Sequence, residues 1–303
     1  MSQKHESSPA LHVQPTGRPR IAILGGSGLY ELPDVEIRDV VDVPTPFGSP
    51  SGPVTLAFLK GKQVAFLSRH GRTHGMAPQQ INYRANMWAL KSLGVEAVVS
   101  SSAVGGLVAS HGTDSFAVPD QFIDRTWGRA DTYYDGSLPT GVQHLPAAEP
   151  YCSRLRGILI KSLEELGEGF SDHGTLAVIN GPRFATRAES EILVASGAHL
   201  ISMTAYPEPV LAAELNMGFA NLAYVTDANT GHDGSAPVTA GIVLARLEAA
   251  RSRILAVLGT VTEMIDRDYV GPQLTDSAAV RSVLEHPPAH PAAGAVAQQR
   301  VRS

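Results

Sequence analysis

The fold is decided by residues 175–226, which read TLAVINGPRFATRAESEILVASGAHLISMTAYPEPVLAAELNMGFANLAYVT. Three apolar runs of strand length alternate here with two segments whose apolar residues recur at helical spacing. The predicted strands are 175–180, 199–204 and 219–226, and the predicted helices are 186–195 and 207–217. This alternation predicts an α/β domain with a largely parallel sheet. Such sheets bind ligands at the carboxyl ends of their strands, so the residues that follow each strand are candidates for function.

The same alternation continues on both sides of this stretch. Further strands are predicted at 21–24, 54–59, 63–68 and 97–101, and further helices at 82–93, 153–166 and 239–265. We therefore predict a single α/β domain with a mixed, largely parallel β-sheet flanked by helices. Residues 1–19 are predicted to be a flexible arm, 20–265 the catalytic domain, and 266–303 a C-terminal tail that is disordered from about residue 285.

The composition excludes several classes of protein. The chain has 303 residues, a net charge of −5 and 24 Lys+Arg in no basic run, so no binding to nucleic acid is expected. It has no apolar stretch as long as a membrane span, so no association with a membrane is expected. A single cysteine, Cys152, excludes an internal disulfide and a multi-cysteine metal site. The expected location is the cytoplasm.

Two motifs that follow predicted strands could bind an anion. Gly25-Gly26-Ser27-Gly28 departs from G-x-G-x-x-G, because Glu31 stands where the third glycine belongs. An ordinary tight turn is the favoured interpretation of this motif alone, and the functional one is a nest of backbone N–H groups with the Ser27 hydroxyl. The second motif, SRHGRTH at 68–74, has two arginines and two histidines, which favours anion binding over a solvated loop. Its glycines disfavour the helix that a His-x-x-x-His metal site needs.

Polar or aromatic residues follow the other predicted strands. The hydroxyls of the serines at 100–102 end a buried strand and need partners, for which local bonds to the backbone are the simple alternative. Phe184 is equally compatible with stacking on a planar ligand and with the core, whereas Met203 alone favours the core. Asp227 follows the strand 219–226, where an acidic residue suits a polar ligand better than a helix cap.

Taken together, these segments resemble the purine nucleoside phosphorylase family, in its branch of 5′-methylthioadenosine phosphorylases. The resemblance runs in collinear order from about Arg20 to Val261. Its motifs are GGSGL at 25–29, TPFG at 45–48, RHGR at 69–72, NYRAN at 82–86, DQFIDRT at 120–126, GPRF at 181–184, RAES at 187–190 and TD at 226–227. The resemblance implies the nucleoside phosphorylase fold and phosphorolysis of a purine nucleoside. It also implies a homotrimer with no metal and no organic cofactor, in which inorganic phosphate is a co-substrate.

The resemblance implies roles for individual residues. The implied phosphate site consists of Ser27, Arg69, His70, Ser102, Ala103 and Thr204. The implied nucleoside site consists of Phe184, Met203, Asp227, Asn229 and His144, the last from the neighbouring subunit. Asp227 is the implied catalytic residue, which forms hydrogen bonds with the purine N7 and the exocyclic group. To donate a hydrogen bond it must carry a proton, and a closed apolar pocket raises the pKa of a carboxyl group.

The substrate is less sharply defined than the reaction. The leading prediction is 5′-methylthioadenosine, cleaved by phosphate to adenine and 5-methylthioribose 1-phosphate. The alternatives are a 6-oxopurine nucleoside (inosine, guanosine or methylthioinosine), another 5′-substituted adenosine such as a 5′-halo analogue, and a non-catalytic purine-binding module. Asp227 and Ala185 favour a 6-amino group, since relatives that bind 6-oxopurines usually carry Asn and Glu there. Asn229, Ser202 and segment 230–237 depart from the methylthioadenosine branch, and the Asn229 amide could donate to O6.

Overall fold

Eleven strands and six α-helices make up the computed structural model, which describes residues 18–29, 32, 35–71, 73–231 and 233–287. The strands are β1 (Ile21–Gly25), β2 (Glu36–Val41), β3 (Val54–Leu59), β4 (Lys62–Ser68), β5 (Ala97–Gly106), β6 (Phe116–Ala117), β7 (Gln121–Arg125), β8 (Phe170–Ser171), β9 (Thr175–Ile179), β10 (Leu200–Ser202) and β11 (Gly218–Asp227). The helices are α1 (Tyr83–Ser92), α2 (Ser153–Glu165), α3 (Arg187–Ala195), α4 (Glu208–Glu214), α5 (Ala240–Met264) and α6 (Ser277–Glu285). Residues 1–17 of the predicted arm and 288–303 of the predicted tail lie outside the described residues.

Strand β5 is the centre of the sheet. It pairs in parallel with β1 and β11 and in antiparallel with β10. The sheet continues from β1 through β4 and β3 to β2, and from β10 through β9 to β7, while β6 and β8 extend it from β11. Six strand pairs are parallel and four are antiparallel. The predicted mixed, largely parallel sheet flanked by helices is confirmed.

Strands β1 and β10 pair with different parts of the same side of β5 and leave a gap between them. β1 pairs with residues 97–100 of β5, and β10 pairs with Gly105 and Gly106. Between these points, at residues 101–104, none of the described strands pairs with β5 on this side. We call these four residues the β5 gap. Because β5 continues past the end of β1, the gap lies at the carboxyl end of a parallel strand, where α/β sheets bind ligands.

Alternating residues of the strands divide the core into two layers. Ile21 and Ile23 of β1 pack with α2 and α5 on one face of the sheet. Ala22 and Leu24 pack with α1, α4 and α6 on the other face, as the two-residue period of a strand requires. Side-chain oxygens of Asn82, Thr186 and Thr239 cap the N-termini of α1, α3 and α5. No described helix has both the length and the apolar character that crossing a bilayer requires.

Helix α6 makes the segment after residue 265 part of the folded domain up to residue 285. The segment was predicted to belong to a C-terminal tail, whereas residues 277–285 form a helix. Val280 and Val283 are buried with α1 and α4, and the indole Nε1 of Trp88 donates to the carbonyl oxygen of Val283 at 3.0 Å. The Arg20 guanidinium also donates to the carbonyl oxygen of Tyr269 from two nitrogens. Strands β2, β6, β7 and β8 were not predicted from the sequence.

Truncation of Val283 tests whether α6 contributes to the stability of the domain. We expect Val283→Ala to lower the free energy of unfolding by about 2 kcal/mol, because two buried methyl groups worth about 0.8 kcal/mol each are lost and a cavity remains. Urea denaturation measures this change. Arg281→Ala, on the exposed side of the same helix, is the matched control and should have little effect. Equal stability of both variants and the parent protein would contradict the prediction.

Candidate active site

A cavity of about 530 Å³ opens at the β5 gap. Its walls come from the residues that follow β1, β4, β9, β10 and β11. Ten of the eleven residues assigned to a site from the sequence line it: Ser27, Arg69, His70, Ser102, Ala103, Phe184, Met203, Thr204, Asp227 and Asn229. The eleventh, His144, is exposed and lies between β7 and α2, outside this cavity. Among the described residues no group of three or more His, Cys, Asp or Glu could hold a metal ion.

The turn after β1 lies against the β5 gap. Leu29 N donates to the carbonyl oxygen of Gly26 at 3.1 Å, and Arg69 N donates to that of Gly25 at 2.9 Å. A Cβ atom at Gly26 would lie 2.4 Å from the carbonyl oxygen of Ser101, so only glycine fits there. The turn is therefore a tight turn, as its sequence favours, and it brings Ser27 to the cavity wall.

Arg69 forms a buried ion pair with Glu208, the first residue of α4. Their side chains are 1% and 0% exposed. The guanidinium Nε donates to Glu208 Oε1, and Nη2 donates to Oε2 at 2.9 Å and to Ser100 Oγ at 2.5 Å. Nη1 donates to the carbonyl oxygen of Ser101 at 3.1 Å. Since a guanidinium has five N–H donors, these four bonds leave one donor for a ligand. The Glu208 charge cancels that of Arg69.

Ser100 and Ser102, in the middle of β5, belong to the same buried network. Asn221 of β11 donates from Nδ2 to Ser100 Oγ at 3.3 Å, and Ser102 Oγ donates to Asn221 Oδ1 at 2.9 Å. These hydroxyls therefore bond mainly to side chains, not only to the local backbone. Ser102, which lines the cavity, is oriented by a residue that is itself 0% exposed.

His70 is uncharged at neutral pH. Its Nδ1 lies 2.9 Å from the carbonyl oxygen of Met76, so Nδ1 carries the hydrogen and donates it. Burial lowers the pKa of His70 to about 4, and the charge of Arg69 acts in the same direction. Nε2 is then an acceptor in this tautomer. His70 can thus accept a hydrogen bond from a protonated oxygen of a ligand.

Asp227 and Asn229 form the opposite end of the cavity. Asp227 Oδ1 accepts from Asn229 N at 2.8 Å, and Oδ2 accepts from Thr226 Oγ1 at 2.8 Å. Burial raises the pKa of Asp227, although both hydrogen bonds oppose the shift. Phe184 is 37% exposed at the wall and is not part of the core. The pKa of Asp227 is therefore shifted in the direction that a proton donor requires, while its two hydrogen bonds favour the carboxylate.

Two residues that support the cavity were missed from the sequence. Glu208 stands in a Pro-Glu-Pro stretch, which indicates only the start of a helix. Arg129 donates from Nη2 to the carbonyl oxygens of Asn180 at 3.2 Å and Met203 at 2.8 Å, and from Nη1 to that of Tyr206. It thus joins the ends of β9 and β10. A lone arginine in a loop gives no sequence signal for that role.

The cavity has groups that can bind an anion at one end and an acidic residue with an aromatic wall at the other. In an α/β domain, this arrangement is that of a nucleoside phosphorylase. The chain belongs to the Phosphorylase superfamily, whose sequence profile matches residues 20–263. The predicted family and enzyme class, a pentosyltransferase, are confirmed.

The names of the relatives describe two activities. S-methyl-5′-thioadenosine phosphorylase of Mycolicibacterium smegmatis is 45% identical over 228 residues, which are 75% of this chain and 84% of that protein. Purine nucleoside phosphorylase of Streptomyces coelicolor is 42% identical over 245 residues, 78% of this chain and 86% of that protein. The structure of methylthioadenosine phosphorylase from Schistosoma mansoni in complex with adenine has a TM-score of 0.78 at 32% identity, and covers 88% of this chain and 96% of its own.

Replacement of Arg69 tests its predicted role in binding phosphate. Arg69→Lys keeps the charge next to Glu208 but loses the planar fork. We expect the KM for phosphate to rise roughly 10- to 150-fold, as the loss of a charge-assisted hydrogen bond worth about 1.5–3 kcal/mol implies, with little change in the KM for nucleoside. Steady-state kinetics with each substrate varied in turn measures both values. Arg154→Lys, in an exposed ion pair, is the control. An unchanged KM for phosphate would contradict the assignment.

Proposed function

We propose that this protein cleaves 5′-methylthioadenosine with inorganic phosphate to adenine and 5-methylthioribose 1-phosphate. The observation that carries the proposal is the single cavity that joins the Arg69 end to the Asp227 end. The names of the Mycolicibacterium smegmatis and Schistosoma mansoni relatives support the choice of nucleoside. We propose further that phosphate is the only co-substrate, that no metal or organic cofactor takes part, and that the enzyme works in the cytoplasm.

Phosphate would bind at the end formed by Ser27, Arg69 and His70. It is already an anionic nucleophile, so no base is needed to create it, and the task of this end is to position it under C1′ of the ribose. Ser102, the backbone of Ala103 and Thr204 complete the proposed phosphate site. The ribose passes through a cationic, oxocarbenium-like state, as in glycoside hydrolysis, and the phosphate charge stabilises that state.

Asp227 would donate a proton or a hydrogen bond to N7 as the purine leaves with negative charge. Thr226 suits this role, because its Oγ1 lies 2.8 Å from Asp227 Oδ2 and 3.2 Å from the carbonyl oxygen of Val104. While Asp227 keeps its proton for N7, Oγ1 can donate to the carbonyl oxygen of Val104. When Oδ2 is ionised, Oγ1 can donate to it instead. The donor is present below the raised pKa of Asp227 and is lost as pH rises through it.

An apolar wall near the first turns of α5 suits an apolar 5′ substituent. Ala240, Val243 and Leu244 line the cavity, and the Leu244 side chain is 48% exposed. A methylthio group would cover part of this surface, and its burial is favourable. Met203, which packs close to Gly181, would line the ribose, and Phe184 would stack on the base.

A 6-oxopurine nucleoside is the second candidate substrate, and the name of the Streptomyces coelicolor relative, a purine nucleoside phosphorylase, is compatible with it. Two residues disfavour a 6-oxopurine. Ala185 cannot accept a hydrogen bond from its N1–H, and an ionised Asp227 would place a negative carboxylate next to the acceptor O6. A protonated Asp227 can accept from a 6-amino group and donate to N7. An unmatched polar pair costs about 1–3 kcal/mol, or roughly 5- to 150-fold in rate.

A panel of four nucleosides distinguishes the two candidates. We expect phosphorolysis of methylthioadenosine to be faster than that of methylthioinosine, adenosine and inosine, by initial rates at saturating phosphate. Asp227→Asn should lower turnover of methylthioadenosine by roughly 10²- to 10³-fold, since a donor to a developing anion is lost, and raise the relative rate with methylthioinosine. Asp172→Asn, at an exposed site, is the control. Equal rates for methylthioadenosine and methylthioinosine would favour the second candidate.

The proposed assembly is a homotrimer in which His144 of one subunit reaches the 5′ end of the neighbouring subunit's cavity. The exposed position of His144, outside its own cavity, is compatible with that placement. We expect specific activity to fall on dilution as trimers dissociate, when light scattering and phosphate consumption are measured on the same samples. A fully active monomer would refute both the trimer and the role of His144.

A further inference from the structure

We propose that Ser190 of α3 orients the Asn229 amide so that its oxygen, not its nitrogen, meets the purine 6-substituent, which makes Ser190 a positioning residue for 6-aminopurines. The inference deepens the proposed function and rests on it for the identity of the ligand. It concerns the position at which the sequence was ambiguous, because an amide can donate to a 6-oxo group or accept from a 6-amino group.

The orientation of the Asn229 amide follows from the single hydrogen that the Ser190 hydroxyl can donate. Ser190 Oγ has a single hydrogen and lies 3.0 Å from the carbonyl oxygen of Thr186, which can only accept. Once that hydrogen is donated to Thr186, Oγ can only accept a hydrogen bond in its turn. Asn229 Nδ2 lies 2.6 Å from Oγ and donates to it. The reversed amide would place Oδ1 there and would require the hydroxyl to abandon Thr186.

The position of Asn229 is fixed by its backbone as well. Asn229 N donates to Asp227 Oδ1 at 2.8 Å, and its carbonyl oxygen accepts from Val238 N at 2.9 Å. Its φ angle of 50° lies in the left-handed region, which asparagine tolerates better than most residues. Asn229 and Ser190 are only 3% and 4% exposed, so the bond between them is shielded from water.

The amide oxygen is consequently the atom that can recognise the base. Nδ2 is engaged by Ser190, and among the described residues no group donates to Asn229 Oδ1, while Asn229 lines the cavity beside Asp227. An N–H of a 6-amino group gives Oδ1 a partner. A 6-oxo group would instead bring two acceptors together. Asn229 and Asp227 then select the same class of purine.

Four variants test this orientation through the ratio of kcat/KM for methylthioadenosine to kcat/KM for methylthioinosine. Ser190→Ala removes the acceptor and lets the amide turn, so the ratio should fall at least about fivefold. Asn229→Asp presents an oxygen in either orientation and should keep the ratio at or above that of the parent protein. Ser190→Ala combined with Asn229→Asp should restore the ratio, since a carboxylate needs no orienting partner. A purely structural role of Ser190 would give no such rescue.

Ser196→Ala is the matched control. Ser196 stands at the C-terminus of the same helix, and its Oγ donates to the carbonyl oxygen of Ile192, four residues earlier, at 2.8 Å. This is the same kind of bond that Ser190 makes to Thr186. Ser196 is exposed, however, and does not line the cavity. The ratio should be unchanged in this variant. A ratio for Ser190→Ala equal to that of Ser196→Ala, or a double variant that behaves like Ser190→Ala, would overturn the proposal.

Base binding separates this inference from the proposed reaction. Calorimetry gives the affinities of adenine and hypoxanthine for the parent protein and for Ser190→Ala, with no phosphorolysis involved. A fall in the adenine preference of at least about fivefold supports the orienting role of Ser190 even if no phosphate is consumed, an outcome that would refute only the proposed function. An unchanged preference would overturn the orienting role even in an active phosphorylase.

Discussion

The buried ion pair between Arg69 and Glu208 is the interaction on which the site depends. It connects the residue after β4 to the first residue of α4, and Arg69 extends the connection to Ser100 and Ser101 of β5. Neither charge has access to water, so removal of one partner would leave the other uncompensated, which typically costs 3–5 kcal/mol. The three segments that surround the anion end are therefore held in one arrangement before any ligand binds.

That arrangement explains why the cavity forms where it does. β5 is longer than β1, and its last residues pass between the turn after β1 and the strand β10. The β5 gap supplies Ala103 and the Ser102 hydroxyl, the turn supplies Ser27, and Asn221 orients Ser102 from behind. A polar site is possible in the middle of an apolar sheet because each buried hydroxyl and amide described in this network has a partner.

The sequence predicted the parts of this protein that depend on local pattern. The strands and helices between residues 175 and 226 follow from apolar periodicity, and the placement of ligand-binding residues after strands follows from the parallel sheet. Edge strand β2 could not be predicted in this way, because EIRDVV is charged and exposed. Glu208 could not be predicted either, since its partner is 139 positions away and its own neighbourhood indicates only a helix start. Ser190 could not be predicted for a similar reason, because a serine inside a helix indicates nothing until its contact with Asn229 is known. The proposed role of His144 would depend on a second subunit, which one chain does not contain.

Because Glu208 neutralises Arg69, the end of the cavity formed by Ser27, Arg69 and His70 has little net charge to attract an anion. With Glu208 beside it, an uncharged His70 and an overall charge of −5, the protein offers a distant dianion no long-range attraction. At the proposed phosphate site, phosphate would then arrive by ordinary diffusion, and short-range donors would capture it. The same donors would hold the sugar phosphate that is formed, without a net positive charge to retain it. A site built in this way would trade fast capture for easy departure of the product.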